Sequence, residues 1–171
     1  MTNNRINPWL YAGLASSFPN IERAENNKTR ICLPTPDPWD SPREAPPQSC
    51  KTFTKPAEPS SATPLDETPI SEAQQNSIMV FRYKERIYAI EQACPHQAYP
   101  LTRASLSDIE DFGIVLSVGI TCPKHGWTFD LHTGEADVSR YKLGLYDVES
   151  RRGETGEEQV WVKKKERKRI G

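Results

Sequence analysis

Two short runs hold the residues best suited to chemistry: Cys94-Pro95-His96 and Cys122-Pro123-Lys124-His125. Each puts one cysteine and one histidine within ligand reach of each other. The chain has three histidines and four cysteines, and four of those seven residues fall in these runs. Two thiolates and two imidazoles complete the shell of a tetrahedral zinc ion. They equally suit a [2Fe–2S] cluster in which two histidines replace two cysteines on one iron. The common zinc pattern pairs Cys with Cys and His with His along the chain. Here each run is mixed, which lets two loops approach from opposite sides and each give its Cys to one iron and its His to the other.

The surrounding residues narrow the choice. The first run continues as Gln97-Ala98-Tyr99-Pro100-Leu101, and the second as Gly126-Trp127-Thr128-Phe129-Asp130 with Thr133-Gly134-Glu135 beyond. Both runs resemble the two cluster loops of the Rieske [2Fe–2S] family nearly residue for residue, over roughly Ile78 to Val162 with a first strand near Trp9. The resemblance implies a [2Fe–2S] cofactor held by Cys94, His96, Cys122 and His125. It also implies that the cysteines hold an inner iron and the histidines an outer one. Three departures stand out. The runs are separated by 25 residues, from Gln97 to Thr121, and this stretch carries the acidic Asp108-Ile109-Glu110-Asp111. In both respects the chain resembles the small soluble Rieske proteins of eukaryotes. Ala98 stands where the family usually has the glycine that tolerates φ > 0, and Lys124 where it often has an aromatic. The disulfide-forming cysteines of the respiratory type are replaced by Tyr99 and Lys124.

The elements that must position these loops read as short strands. The segments from Ile78 to Tyr83 and from Arg86 to Glu91 flank Lys84-Glu85, a two-residue hairpin connection without the Asn-Gly signal. Ile114, Leu116, Val118 and Ile120 alternate as on one strand face, and Trp127, Phe129 and Leu131 repeat the pattern. A closing pair runs over 143–149 and 159–163. Many short strands with turns between them predict an all-β, antiparallel sandwich or barrel. That is the architecture the resemblance also implies, with the two cluster loops at one end.

At 171 residues the chain is expected to be a single domain. Its parts are a first strand at about 8–21, a disordered insertion at about 22–75, a main body at about 76–163 and a basic tail at 163–171. Ten of the fifteen prolines lie between Pro34 and Pro69, and such a composition buries too little apolar surface to offset its ordering entropy. The insertion is therefore read as a flexible loop, with polyproline docking as the alternative. Cys32 and Cys50 fall in it and read as two unremarkable thiols. The tail from Lys163 to Arg169 reads as a solvated end, with nuclear targeting as the alternative. His132 reads as a surface turn residue.

The formal net charge of −1 offers no global attraction to nucleic acid or membrane, and no stretch approaches the roughly 20 apolar residues of a membrane-spanning helix. With few cysteines and no leader-like N-terminus, the expectation is a cytoplasmic monomer, and its partners are redox proteins, a reductase and an electron acceptor. The expected function is one-electron transfer as a ferredoxin-like carrier serving an oxidoreductase or oxygenase. Outside the two runs only His132 remains, so the chain lacks the two-histidine, one-carboxylate iron site of a stand-alone oxygenase. The alternative from another class is an interaction module with a structural zinc or an empty site, working through the insertion and the tail.

Overall fold

The computed structural model describes residues 8–31, 50–55, 65–68, 77–95, 99–124, 126–138 and 140–165. Twelve strands lie among them: β1 (Leu10–Leu14), β2 (Asn20–Ile21), β3 (Thr29–Arg30), β4 (Cys50–Thr54), β5 (Asp66–Thr68), β6 (Ser77–Tyr83), β7 (Arg86–Glu91), β8 (Ser105–Asp111), β9 (Ile114–Thr121), β10 (Thr128–Asp130), β11 (Leu145–Arg152) and β12 (Glu158–Lys164). The helical structure among the described residues is two short 3-10 turns, at Ala15–Ser17 and Leu101–Arg103. Two sheets result. The larger runs β1-β12-β11-β7-β6-β4-β5, with β2 added parallel to β6, and the smaller runs β10-β9-β8-β3. The all-β, largely antiparallel fold is the one the strand pattern predicts.

β6 is the central element because both of its faces are apolar. Ile78 and Val80 point into one buried cluster, with Leu10, Phe18, Phe53, Val160 and Val162. Met79, Phe81 and Tyr83 point into another, with Leu106, Ile120, Phe129, Cys94 and Cys122. This is the period-2 alternation of a strand with a core on each side. The larger sheet therefore packs one face on its own end strands and the other on the smaller sheet and the two cysteine loops.

The β6–β7 hairpin turns at Lys84-Glu85, with φ of +49° and +68°. Two positive values are what a type I′ turn requires, and they normally call for Asn or Gly. Here neighbours hold the backbone in place: Lys84 N donates to Ile21 O at 3.0 Å and Glu85 N to Asn20 Oδ1 at 2.7 Å.

Three expectations change. First, the segment 22–75 contributes β3, β4 and β5; of the Pro-rich stretch between Pro34 and Pro69, residues 34–49, 56–64 and 69 lie outside the described residues. β4 pairs with β6 over its whole length, from Cys50↔Phe81 to Thr54↔Ser77. Its residues, Cys-Lys-Thr-Phe-Thr, contain no proline and include β-formers, and Cys50, Thr52 and Phe53 are buried. Proline density averaged over fifty residues hides five that fit a pleated surface. Second, Cys50 is not an ordinary thiol: it is disulfide-bonded. Cys32 lies outside the described residues. Third, Ile114 and Leu116 do not share the buried face of Val118 and Ile120; they are 64% and 59% exposed. Ile109 pairs with Ser117 but Glu110 with Val115, so Leu116 is the extra residue of a β-bulge. A bulge breaks the alternation, and beyond it the β8–β9 hairpin runs past the core.

The acidic stretch of β8 anchors that hairpin. The Asp108 side chain is fully buried and lies 3.2 Å from Arg23 Nη1 and 3.0 Å from Lys84 Nζ. The Tyr83 hydroxyl donates to Asp108 Oδ1 at 3.2 Å. Asn27 exchanges two hydrogen bonds with the Asp108 backbone, at 3.0 and 2.8 Å, in the manner of a paired strand. Burial first, then the Asp108 charge, push the Tyr83 phenol up to about 12.

Candidate metal centre

The two cysteine loops are built alike. Cys94 follows β7 by three residues, and Cys122 follows directly on β9. Cys94 N donates to Tyr99 O at 3.0 Å, and Cys122 N donates to Trp127 O at 2.9 Å. Each loop thus closes between its cysteine and an aromatic residue five positions on. The first is tied further by Leu101 N to Gln92 O at 2.8 Å and by the Ala93↔Pro100 bridge. The second is tied by Gly126 N to Cys122 O at 2.9 Å and by a 2.8 Å contact between the Thr121 and Thr128 hydroxyls. Gly126 has φ +71°, a backbone that a side chain would strain.

Cys94 and Cys122 are each 3% exposed and belong to one buried cluster, on which Tyr99 and Trp127 pack from the rim. Neither cysteine is in a disulfide. His96 and His125 lie outside the described residues. Buried thiols at the start of two tied loops fit a metal centre that takes its sulfur ligands from inside the fold and its remaining ligands from the loop bodies. The matched Tyr99 and Trp127 were not singled out as loop-closing residues from the sequence, although their common spacing from the cysteines was there to be read.

Behind the first loop, Glu91 closes β7. Lys55 Nζ lies 2.5 Å from Glu91 Oε2 and donates to Oε1 at 2.6 Å. The Tyr146 hydroxyl donates to Oε1 at 3.1 Å. Burial and then the Glu91 charge push the Tyr146 phenol well above its ordinary value. Glu91 N donates to Gly144 O at 2.9 Å. This network fixes the strand end from which the Cys94 loop departs.

Lys124 is exposed. His132 is an exposed turn residue, as expected, with its N–H on Asp130 Oδ1 at 2.7 Å and its carbonyl accepting from Lys165 Nζ at 3.1 Å. A cleft of about 730 Å³ opens where β7 and β11 part, between Arg86, Tyr88, Asp147 and His132. It includes neither cysteine and is separate from the centre.

Comparison with known proteins now completes the assignment. The family model of the Rieske [2Fe-2S] domain matches residues 55–143, just over half of the chain. The chain belongs to the Rieske [2Fe–2S] family, and its cofactor is a [2Fe–2S] cluster. No curated protein matches the sequence. Among solved structures, the chain is similar to one titled as the complex of reduced oxygenase and oxidized ferredoxin in carbazole 1,9a-dioxygenase. That match has 20% identity and a TM-score of 0.49, covering 95% of this chain and 100% of the other. It is also similar to a putative NADH-dependent nitrite reductase small subunit from Mycobacterium tuberculosis. There the identity is 13% and the TM-score 0.45, covering 91% of this chain and 96% of the other.

Proposed function

We propose that this chain is a one-electron carrier whose [2Fe–2S] cluster is held by Cys94 and Cys122 on one iron and by His96 and His125 on the other. The observation that carries this reading is the pair of matched loops, each starting with a buried cysteine outside any disulfide and closed five residues later. A cluster with this donor set supplies reversible one-electron transfer at about −150 to +300 mV, because neutral imidazoles in place of thiolates remove negative charge from it. The chain's own part is to hold the cysteines dry in the core, with the exposed Pro123, Lys124 and Gly126 of the second loop beside them. A reductase would donate there, and an oxygenase or another oxidoreductase would accept. Among the described residues no helix is long and apolar enough to cross a membrane.

Purified protein is expected to contain iron and acid-labile sulfide in equal amounts and, once reduced, to give an EPR signal of mixed Cys/His ligation with a low average g. Cys94→Ala and Cys122→Ala are each expected to abolish it. Freshly isolated protein with stoichiometric zinc and no labile sulfide would overturn the proposal.

A further inference from the structure

A turn beside the second cysteine loop carries exposed apolar groups that the core does not use. It spans residues 135–142, of which Ser139 lies outside the described residues. The chain folds back through the Glu135↔Lys142 bridge and a 3.3 Å hydrogen bond from Ala136 N to Tyr141 O. Its base is fixed: Leu143 N donates to Gly134 O at 2.8 Å, and a Cβ on Gly134 would meet Leu143 O at 2.5 Å. The turn is also docked on β10. Asp137 N donates to Thr128 O at 3.0 Å, and Thr128 N donates to Asp137 Oδ1 at 3.1 Å. Thr128 follows directly on Trp127, which closes the Cys122 loop, so the turn and that loop share one end of the fold.

The Tyr141 ring lies 5.6 Å from the Trp127 ring, tilted by 39°. Tyr141 is 46% exposed and Val138 66%, and Trp127 is half-buried. Rings already held in place give contact area at little further cost in ordering. Tryptophan, tyrosine and arginine are the side chains most often found to carry binding energy. The charge around the rings is uneven. The described residues of the two loops, of the 3-10 turn after the first loop and of this turn include Arg103, Lys124, Arg140 and Lys142 against Glu135 and Asp137, all exposed. Lys142 lies 3.8 Å from Glu135, and Asp137 is turned in on Thr128 N. Arg103, Lys124 and Arg140 make no ion pair among the described residues. This end is therefore positive, although the chain as a whole carries −1.

We propose that this aromatic pair with its basic rim is the docking face for an electron-transfer protein that surrounds its own redox centre with carboxylates. The inference rests on the carrier reading above and adds the chemistry of the partner. An apolar centre inside a polar rim is the general layout of a protein interface. Opposite charge on the partner raises the encounter rate and orients the approach. A partner seated over Trp127 and Tyr141 rests against the loop that Cys122 opens. One electron then crosses, and no bond forms or breaks.

The test uses the full, cluster-loaded chain and two protein probes of opposite charge in stopped flow. Reduced flavodoxin, which is acidic, donates an electron to the oxidised chain; oxidised cytochrome c, which is basic, takes one from the reduced chain. The flavodoxin rate constant is expected to fall by at least about tenfold from low to high salt, and the cytochrome c rate constant to stay level or rise. Arg140→Glu is expected to slow flavodoxin by at least about fivefold at low salt, and Arg140→Lys to keep the wild-type rate. Tyr141→Ala is expected to slow flavodoxin by at least about threefold even at high salt, where the rim is screened. Visible and EPR spectra of all three variants are expected to match wild type. A flavodoxin rate indifferent to salt or to Arg140→Glu would overturn the proposal, as would the same attraction for cytochrome c, or Tyr141→Ala protein that reacts like wild type. Redox titration with small mediators separates this face from the reading beneath it. Without a reversible one-electron step, the carrier reading fails and the face with it; a normal titration alongside salt-independent flavodoxin kinetics overturns the face alone.

Discussion

Phe53→Ala tests whether β4 is part of the body of this protein or an ornament of its Pro-rich segment. Phe53 is 3% exposed and packs with Leu10, Phe18, Ile78, Val80 and Val160 on the curled face of the larger sheet. Truncating a buried phenylalanine removes its transfer free energy and leaves a cavity, together costing about 3–5 kcal/mol. A domain of this size has on the order of 5–15 kcal/mol in total, so a large share would go. At about 2–4 °C per kcal/mol for a chain of this length, the melting temperature should fall by about 6–20 °C. Lys51→Ala on the same strand is the control. Its ion pair to Glu67 is long, at 3.8 Å, and its partner is largely exposed; with its ammonium 5.5 Å from the Phe18 ring centre, the loss should still stay under about 2 kcal/mol. Far-UV circular dichroism reports the fold, and visible absorbance reports the cluster in the same melt. If Phe53→Ala melts like wild type, β4 does not sit in the core and the placement is wrong. The same reasoning expects a chain joined directly from residue 21 to residue 76 to lose its cluster. That deletion removes β4, Lys55 and the Arg23 and Asn27 partners of Asp108.

Three further outcomes follow from the site and its supports. Glu91→Gln keeps the shape but removes the charge that Lys55 and Tyr146 hold; it is expected to cost about 1–3 kcal/mol, read as a lower midpoint in urea. Lys124→Glu reverses a charge inside the second loop and is expected to lower the reduction potential by on the order of tens of millivolts in low salt, shrinking as salt is added. An unchanged potential at low ionic strength would refute it. The Tyr83 phenol, raised from 10.0 to about 12, binds its proton more tightly in the folded state. The stability it contributes is full below the unfolded value of 10.0 and is lost as pH rises through about 12. Urea midpoints measured across that window should fall for wild type and fall less for Tyr83→Phe.

How much of this was legible in advance depended on the range over which each signal acts. The cysteines announced themselves because ligand chemistry constrains a few adjacent residues, and the β6–β7 hairpin because strand periodicity is local. The turn at Lys84-Glu85 was legible by its length alone; what stabilises its two positive φ values comes from Asn20 and Ile21, far along the chain. β4 was missed because its place beside β6 is a long-range fact, and its five residues were averaged into a proline-rich neighbourhood. The same holds for Cys50, whose disulfide depends on spatial approach rather than on composition. For Ile114 and Leu116, perfect alternation in the sequence was undone by one bulged residue, which no periodicity count detects.

The pairing of β1 with β12 has a mechanical consequence. Leu10 sits opposite Val162 and Leu14 opposite Gln159, so the chain enters and leaves at the same end of two neighbouring antiparallel strands. A load applied before Leu10 and after Val162 pulls along the rungs of that ladder. It opens them one after another, as a zipper, instead of shearing all of them at once. β11 would be exposed next, and its ladder with β7 is short, two rungs at Leu145↔Ile90 and Tyr146↔Ala89 beside the hydrogen bond from the Tyr146 hydroxyl to Glu91. Tethered through these strands, the protein would yield at low force from the side away from β4, while the cysteine loops, rooted in β7 and β9, would be among the last parts to feel the strain.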